Sequence, residues 1–316
     1  MKKNPTKHLL IQKPMMWVVY ALVPMVFASV YFFGWKSLVL TCAVLICGIG
    51  TEALFTFKQG KPVTSAVFVT CLIFSLSLPP TVPIWMAVIG IVAGVTLGKM
   101  MFGGFGFNVF NPAMVGRCFI YITFPLQMTN QWIEPFRAGL GGISHWSGSL
   151  DTFTAATPLG SLREGIVIPW LDLVLGRTSG SLGETSAILI VMGGLFIIYK
   201  KAASWRLALS CLLGGSICTL LLRTAGLEQI PTLLSTLASG SFLFGMFFVV
   251  TEPVSGAKTK PGQWIYGLMI GILIVVLRGF SNFSEGVMFS VLIMNAFAPL
   301  LDQTIRQIQM KKKVKA

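Results

Sequence analysis

The sequence predicts an all-α integral membrane protein, with about ten transmembrane helices arranged as two inverted five-helix repeats. Of 316 residues, 54% are hydrophobic and only 11% are charged, with a mean hydropathy of +0.80. A soluble domain usually carries about 25% charged residues, so a soluble enzyme and a disordered chain are both excluded. The basic residues lie between apolar runs instead of forming a stripe on a polar domain. The net charge of +14 therefore indicates membrane topology and not nucleic-acid binding.

The apolar runs define the predicted spans. A spanning helix needs about 20 mostly apolar residues, because unpaired backbone groups are not tolerated in lipid. Ten runs approach this length: 14–34, 36–57, 63–79, 82–98, 109–126, 183–199, 205–223, 231–251, 263–278 and 284–301. The first run is too long for a signal peptide and lacks a small-residue cleavage site, so we expect it to be retained.

The basic residues predict the orientation. With both termini inside, the inside segments hold 17 Lys and Arg residues and the outside segments hold six, with Arg117 inside a run. The positive-inside rule then places both termini in the cytoplasm. This assignment treats Lys36, Lys99 and Arg278 as loop residues.

The longest stretch between runs, 127–182, falls outside the cytoplasm and separates five runs from five. An odd-numbered repeat inverts the second half, a common plan in transporter folds. We therefore expect a first repeat, an extracytoplasmic loop, a second repeat and a basic cytoplasmic tail, at 1–126, 127–182, 183–301 and 302–316.

Metal and disulfide chemistry is not predicted. All six cysteines lie in apolar runs, and none forms a Cys-x-x-Cys motif or a cluster with histidine. Structural zinc, an iron–sulfur cluster held by this chain alone and a disulfide framework are therefore not expected. His8 and His145 lie in a tail and a loop, where solvated positions are the simple interpretation.

The segment from Asp151 to Gly160 reads Asp-Thr-Phe-Thr-Ala-Ala-Thr-Pro-Leu-Gly. Alone it is compatible with a polar turn in which Thr157 caps a helix that Pro158 starts. The order of Asp151, Thr154, two alanines and Thr157 also resembles the flavinylation motif of the RnfD/NqrB family of membrane subunits. The resemblance implies that Thr157 carries FMN through a phosphoester bond, installed by a separate flavin transferase. Asp151 and Thr154 would then shape the loop and guide the transferase.

A second segment runs from Gly103 to Arg117 and holds a glycine cluster followed by Asn108, Asn111 and Pro112. It is not a Gly-x-Gly-x-x-Gly motif and no strand is predicted before it, so a dinucleotide-binding fold is excluded. The segment resembles the same family's signature at a cytoplasmic-side re-entrant turn. There the two asparagines, three residues apart, would share a face and could bind the uracil-like edge of a flavin ring.

The resemblance implies that Asn108, Asn111, Pro112 and Arg117 bind a second, non-covalent flavin, riboflavin. The competing interpretation is that the two asparagines satisfy the backbone of a broken helix.

The resemblance covers about residues 15–305, including segments around Glu184, Glu252 and Asn295. Glu252 stands where the family usually has Asp, and Ser284 where proline is frequent. The total length and the compact N-terminal region are closer to RnfD than to NqrB.

An RnfD-like subunit implies a complex in a bacterial inner membrane that moves electrons between ferredoxin and NAD⁺ and translocates Na⁺ or H⁺. This chain would carry electrons through its flavins and would lack a complete active site of its own. The implied partners are the other Rnf subunits (A, B, C, E and G), the flavin transferase and membrane lipid, without nucleic acid.

Two alternatives remain. The first is an NqrB-type subunit of a Na⁺-translocating NADH:quinone oxidoreductase. The second is a channel similar to urea transporters, which would have no use for an outward-facing flavinylation loop.

Carboxylates at membrane depth are candidates for ion transport, because burying them is costly. Glu52 and Glu252 are the better candidates for lining a cation path. Glu285 and Asp302 are expected to flank helices and reach headgroup water.

Overall fold

The computed structural model describes residues 9–129, 132–136, 141–147, 169–176, 178–184, 186–227, 230–239, 241–281 and 286–315. The α-helices of this part of the chain are α1 (Lys13–Phe33), α2 (Trp35–Lys58), α3 (Ala66–Leu76), α4 (Ile84–Gly98), α5 (Pro112–Thr123), α6 (Pro125–Thr129), α7 (Trp170–Leu175), α8 (Ala187–Tyr199), α9 (Trp205–Thr224), α10 (Leu233–Ala238), α11 (Phe242–Phe244), α12 (Lys260–Phe280) and α13 (Gly286–Lys315). Short 3₁₀ turns occupy Met100–Phe102 and Gly141–Ser144, and a π-helical turn, Gly245–Val249, continues α11. Strands β1 (Leu9–Leu10) and β2 (Val63–Thr64) pair in parallel.

The chain is an all-α membrane protein. Within the described ranges, six helical stretches are long and apolar enough to cross a membrane: α1, α2, α4 with the following 3₁₀ turn, α9, α12 and α13. All ten predicted runs contain helix, but α3, α5 and α8 have only 11, 12 and 13 residues. The ten-span inverted repeat thus stays a prediction.

In two of the predicted runs the helix is interrupted where distant parts of the chain satisfy the backbone. Run 63–79 is helical only from Ala66 to Leu76, and the carbonyls of Leu76 and Leu78 accept hydrogen bonds at 2.7 and 3.0 Å from the amides of Gly183 and Leu182. Irregular backbone at membrane depth is tolerated only where other protein groups supply such partners.

Run 231–251 is the second broken run, and it divides into α10, α11 and the π-helical turn. The Arg278 guanidinium donates to the carbonyls of Thr236 and Ser239, at 3.1 Å each. One buried side chain on α12 thereby satisfies the end of α10.

Three cations predicted in loops have partners inside the protein. Lys99 and Arg278 are only 2% and 5% exposed, and the Lys36 ammonium donates to the Thr81 carbonyl at 2.8 Å. Lys99 and Arg278 are therefore buried side chains with partners, which the charge count did not indicate, and Lys36 is half-buried at the start of α2.

Two helix pairs pack with their backbones in close contact. In the pair α9–α12, a methyl group on Gly267 or Gly271 would overlap Ser210 or the Cys211 carbonyl. In the pair α4–α5, one on Gly116 would lie 2.5 Å from the Gly90 carbonyl oxygen. Small residues at such contacts allow helices to associate in lipid, where no hydrophobic driving force acts between them.

Part of the long loop docks on the turn between α1 and α2. The amides of Trp35 and Lys36 donate to the carbonyls of His145 and Trp146 at 3.1 and 2.8 Å. Gly34 forms this turn with φ of 92°, and a methyl group there would lie 2.8 Å from the His145 carbonyl oxygen. The His145 ring is exposed, as predicted, and stacks on Phe136 with 4.9 Å between ring centroids.

Candidate functional site

The second predicted motif lies where residues 103–111 meet the turn at 250–259. Asn111 precedes α5, and its Oδ1 accepts hydrogen bonds from the amides of Ala113 and Met114 at 3.0 and 3.4 Å. Pro112 then occupies the first helical position, where its missing amide is not needed. Asn111 therefore caps the start of α5, as the backbone interpretation of this residue expects.

Asn108 is not on a helix. It lies in the non-helical segment before α5, donates from Nδ2 to the Phe110 carbonyl at 3.3 Å and hydrogen-bonds the Glu252 side chain. The argument that the two asparagines share a helix face was wrong, because helical backbone begins only at Pro112. Both nevertheless line the same small cavity of about 30 Å³, together with Pro112 and Glu252.

This small cavity has room for about one or two water molecules. Glu252 borders it, and the Ser255 amide and hydroxyl donate to Glu252 Oε2, the amide at 3.2 Å. Burial raises the pKa of the Glu252 carboxyl above its ordinary value, and the hydrogen bonds from Ser255 and Asn108 oppose that rise.

Lys99 and Glu52 form a buried ion pair beside the same cavity. Lys99 Nζ lies 2.5 Å from Glu52 Oε2 and donates to Thr64 Oγ1 at 3.0 Å. The Thr64 amide and hydroxyl donate to Glu52 Oε1 at 3.0 and 2.7 Å, so both carboxylate oxygens have partners. Glu52 and Lys99 are 1% and 2% exposed. The carboxylate expected to line a cation path is thus already paired with an ammonium group.

Asn295 connects the broken segments on the other side. Its Oδ1 accepts the Asn111 amide at 3.0 Å, and its Nδ2 donates to the Tyr266 hydroxyl at 2.7 Å and the Ser255 carbonyl at 3.2 Å. A polar network therefore joins the start of α5, the turn before α12, and α13. The sequence motifs do not single out Asn295 as a site residue, although an amide in an otherwise apolar run is a signal that points to it.

A larger cavity of about 620 Å³ adjoins Asn108. Its apolar wall includes Phe107, Val254 and Pro299, and its polar wall includes Asn108 and residues of α13, Asp302, Gln303, Arg306 and Gln307. This volume lies within the range of small-molecule sites, about 300–1,000 Å³.

Asp302 is not solvated, which corrects the expectation that it reaches headgroup water. It is 8% exposed and accepts hydrogen bonds from the amides of Lys258 and Thr259 at 2.8 and 2.9 Å, and from the Thr259 hydroxyl at 2.6 Å. Asp302 therefore fastens α13 to the start of α12. Glu285 lies outside the described residues.

Arg117 is separate from the asparagine site. It lines neither cavity, its Nη1 lies 3.8 Å from Glu184 Oε1, and its Nη2 donates to Ser181 Oγ at 3.5 Å. Five residues along a helix advance about 7.5 Å from Pro112, which moves Arg117 toward the other end of α5. The structure therefore does not bring Arg117 to the cavities that Asn108 lines.

Asp151, Thr154 and Thr157 lie outside the described residues. The structure describes segments that precede and follow them: residues 141–147, docked at Gly34, and Leu182 and Gly183, bonded to the end of α3.

The sequence is similar to one protein family and to several of its named members. The model of the NQR2, RnfD, RnfE family matches residues 5–311. The B subunit of the Na⁺-translocating NADH-quinone reductase of Ectopseudomonas mendocina is 38% identical, covering 83% of this chain and 65% of the relative. That of Klebsiella pneumoniae is 33% identical, covering 89% and 71%. The D subunit of the ion-translocating oxidoreductase complex of Actinobacillus succinogenes is 34% identical, covering 92% and 91%.

The chain spans about 65% of the length of the first of these relatives. The resemblance seen in the sequence motifs is confirmed across nearly all of its residues. This chain belongs to the NQR2, RnfD, RnfE family.

Proposed function

We propose that this chain is the D-type membrane subunit of an Rnf-type complex, which carries electrons between ferredoxin and NAD⁺ and translocates Na⁺ or H⁺. The observation that carries the proposal is the match to the Actinobacillus succinogenes relative over 92% of this chain and 91% of that relative. The proposed arrangement is ten spans in two inverted repeats in a bacterial inner membrane, with both termini cytoplasmic.

A subunit of an NADH:quinone reductase is the second candidate. Its support is the higher identity, 38%, to the Ectopseudomonas mendocina relative. Membrane vesicles containing the assembled complex separate the two candidates. Oxidation of reduced ferredoxin by NAD⁺ supports the first, and NADH oxidation that requires added quinone supports the second.

Covalent FMN at Thr157 is the central chemical proposal, with Asp151 and Thr154 as residues that guide the flavin transferase. The docking of residues 141–147 and of Leu182 and Gly183 supports it, because the loop between them is attached to the helical body near both ends.

The test of the FMN site is co-expression of the chain with a flavin transferase, followed by intact-mass analysis and in-gel flavin fluorescence. The wild type and Thr152→Val should carry one FMN, and Thr157→Val should carry none. Fluorescence that survives in Thr157→Val, or is missing from the wild type, would refute the assignment.

Riboflavin in the 620 Å³ cavity is the second flavin proposal. The cavity suits a flavin because its volume fits a small ligand, its walls are mixed, and Asn108 Oδ1 can accept a hydrogen bond from a ring N–H. When bound, a flavin accepts and donates single electrons. The chain would contribute Asn108 to orient the ring edge, and Phe107, Val254 and Pro299 as apolar contacts for the ring.

The amount of riboflavin released by denaturing the purified chain tests this site. Asn108→Leu should lose riboflavin while keeping the FMN at Thr157, and Thr304→Val, an exposed change on α13, should lose neither. Riboflavin that stays at full occupancy in Asn108→Leu would place it elsewhere.

A further inference from the structure

The connection between α8 and α9 carries exposed cations held by aromatic rings. The Lys200 ammonium lies 4.8 Å from the centroid of the Trp17 ring on α1, 5.4 Å from that of Tyr199 and 5.8 Å from that of Phe196. A cation at these distances from ring faces is attracted by their quadrupoles. The position of the Lys200 side chain is therefore set by three rings.

The same connection continues into a second aromatic group. The Arg206 guanidinium lies 5.1 Å from the Trp205 ring, and Trp205 contacts Trp264 of α12 edge-on with 6.0 Å between centroids. The Ser204 hydroxyl donates to Gln263 Oε1 at 2.8 Å, which fixes the connection against α12. Four helices thus contribute to one cationic, aromatic surface.

In the part of the chain that the structure describes, these cations have no carboxylate partner. The ion pairs within 4.0 Å across the described ranges are Lys99–Glu52 and Arg117–Glu184, and neither includes Lys200, Lys201 or Arg206. No Asp or Glu occurs between residues 185 and 227 of the sequence. Tyr199 is 79% exposed and Trp205 is 47% exposed, so the surface is open.

The surface also lies where helices long and apolar enough to cross a membrane begin. Apolar α8 ends at Tyr199, and the candidate spans α1, α9 and α12 all begin nearby, at Lys13, Trp205 and Lys260. Trp, Tyr, Lys and Arg at the ends of spans mark the boundary between hydrocarbon and water. An anionic partner for these cations would therefore come from the phospholipids of the membrane, and not from another part of the described chain.

We propose that Trp17, Tyr199, Lys200, Lys201, Trp205 and Arg206, the Lys200 cluster, bind the phosphodiester headgroup of an anionic phospholipid. Each ammonium group can donate to phosphate oxygens, and the guanidinium can donate two parallel hydrogen bonds. The aromatic rings pack against the glycerol and upper acyl region while they hold the cations in place. This site is independent of the flavin proposals.

The test uses the purified full chain in detergent, titrated with phosphatidylglycerol or phosphatidylcholine, with bound lipid counted by native mass spectrometry. The wild type should retain phosphatidylglycerol in preference to phosphatidylcholine. A hydrogen bond from an ammonium group to the phosphate contributes a factor of about five in binding, so Lys200→Gln/Lys201→Gln, which removes two such donors, should weaken phosphatidylglycerol binding by about 25-fold.

The matched control is Lys58→Gln/Lys61→Gln. Both lysines are exposed where α2 ends, and the β1–β2 pairing places that point beside the start of α1, at the same end of the helices. The control removes the same charge from a turn without the aromatic cluster and should leave binding within about twofold of the wild type. The variant Lys200→Arg/Lys201→Arg keeps the charge and should also retain the lipid.

Three results would overturn the proposal. These are undiminished phosphatidylglycerol binding in Lys200→Gln/Lys201→Gln, an equal loss in the Lys58→Gln/Lys61→Gln control, or displacement of the lipid by millimolar inorganic phosphate. The second would indicate general surface charge, and the third would indicate a site for free phosphate.

Discussion

The change Glu52→Gln removes one charge of the buried pair while keeping the shape of the side chain. The amide oxygen can still accept the hydrogen bonds from Thr64, which donate to Glu52 Oε1 at 3.0 and 2.7 Å. The Lys99 ammonium, 2% exposed, then faces a neutral group where it had a carboxylate oxygen at 2.5 Å. The substitution therefore removes the negative charge of the pair together with the oxygen that accepts the Lys99 hydrogen bond, because the Nε2 of Gln cannot accept one.

The expected magnitude follows from two opposing energies. At 2.5 Å the Coulomb attraction is about 7 kcal/mol for an effective dielectric constant of about 20. The desolvation of two buried ions, at several kcal/mol each, offsets most of this attraction. The intact pair therefore adds little to the free energy of unfolding. Glu52→Gln leaves the desolvated Lys99 ammonium without a counter-charge, which should lower the free energy of unfolding by about 3–5 kcal/mol.

Thermal unfolding of the purified chain in detergent measures the effect. At about 2 °C per kcal/mol for a chain of this size, Glu52→Gln should lower the midpoint by about 6–10 °C. The double variant Glu52→Gln/Lys99→Met should recover at least half of this loss, because no uncompensated charge remains. Lys58→Met, which removes an exposed cation, should shift the midpoint by less than about 1 °C. If the double variant lowers the midpoint by as much as Glu52→Gln and Lys99→Met lower it together, the reasoning is refuted.

Gly34→Ala should release the docked loop, because the new methyl group would lie 2.8 Å from the His145 carbonyl oxygen and φ is 92°. Faster hydrogen exchange of the amide that donates to His145 checks this, and unchanged protection would contradict it. Asn295→Leu leaves the buried Asn111 amide without its acceptor at 3.0 Å, which should destabilise the chain by about 1–3 kcal/mol in thermal unfolding, whereas Asn295→Asp should keep that hydrogen bond. Glu252→Gln should stabilise the chain more at pH 8 than at pH 5. The folded-state pKa of Glu252 is raised, so the native state binds more protons than the unfolded state. The stability of the wild type therefore falls as pH rises, and the variant avoids this loss. A gain that is equal at both values would contradict this expectation.

The continuous spans could be predicted from sequence because composition alone marks their ends. Run 14–34 became α1 at 13–33, and run 205–223 became α9 at 205–224. Glycine or polar residues interrupt the hydrophobic sequence at these points, and a helix in lipid has no alternative way of satisfying its backbone.

The broken runs could not be predicted, because their backbone partners are distant in sequence. Leu182 and Gly183 bond to carbonyls more than 100 residues earlier, and Arg278 satisfies carbonyls in a helix about 40 residues before it. Hydrophobicity is the same whether an apolar segment forms one helix or two halves joined by such contacts. The sequence therefore indicated where the membrane is crossed but not where a helix is interrupted.

The sequence predicted only part of the candidate site. Asn108, Asn111, Pro112 and Glu252 are brought together around one cavity, and Arg117 does not line it. Lys99, which the charge count placed in a loop, also lines this cavity. A lysine between apolar runs resembles a topological marker until its carboxylate partner, 47 residues earlier, is known.

The glycine contacts in α4–α5 and α9–α12 bear on how the protein is assembled. Because the backbones touch, neither a lipid chain nor a detergent molecule can enter between the helices of a pair. Each pair should form soon after its second helix is inserted, and it should move as a rigid block in any later rearrangement. Adjustment during docking into a larger complex would then fall on the interrupted segments at 77–83, 100–111 and 250–259. Two of these, 100–111 and 250–259, border the cavities, so assembly could alter the cavities while the helical blocks keep their shape.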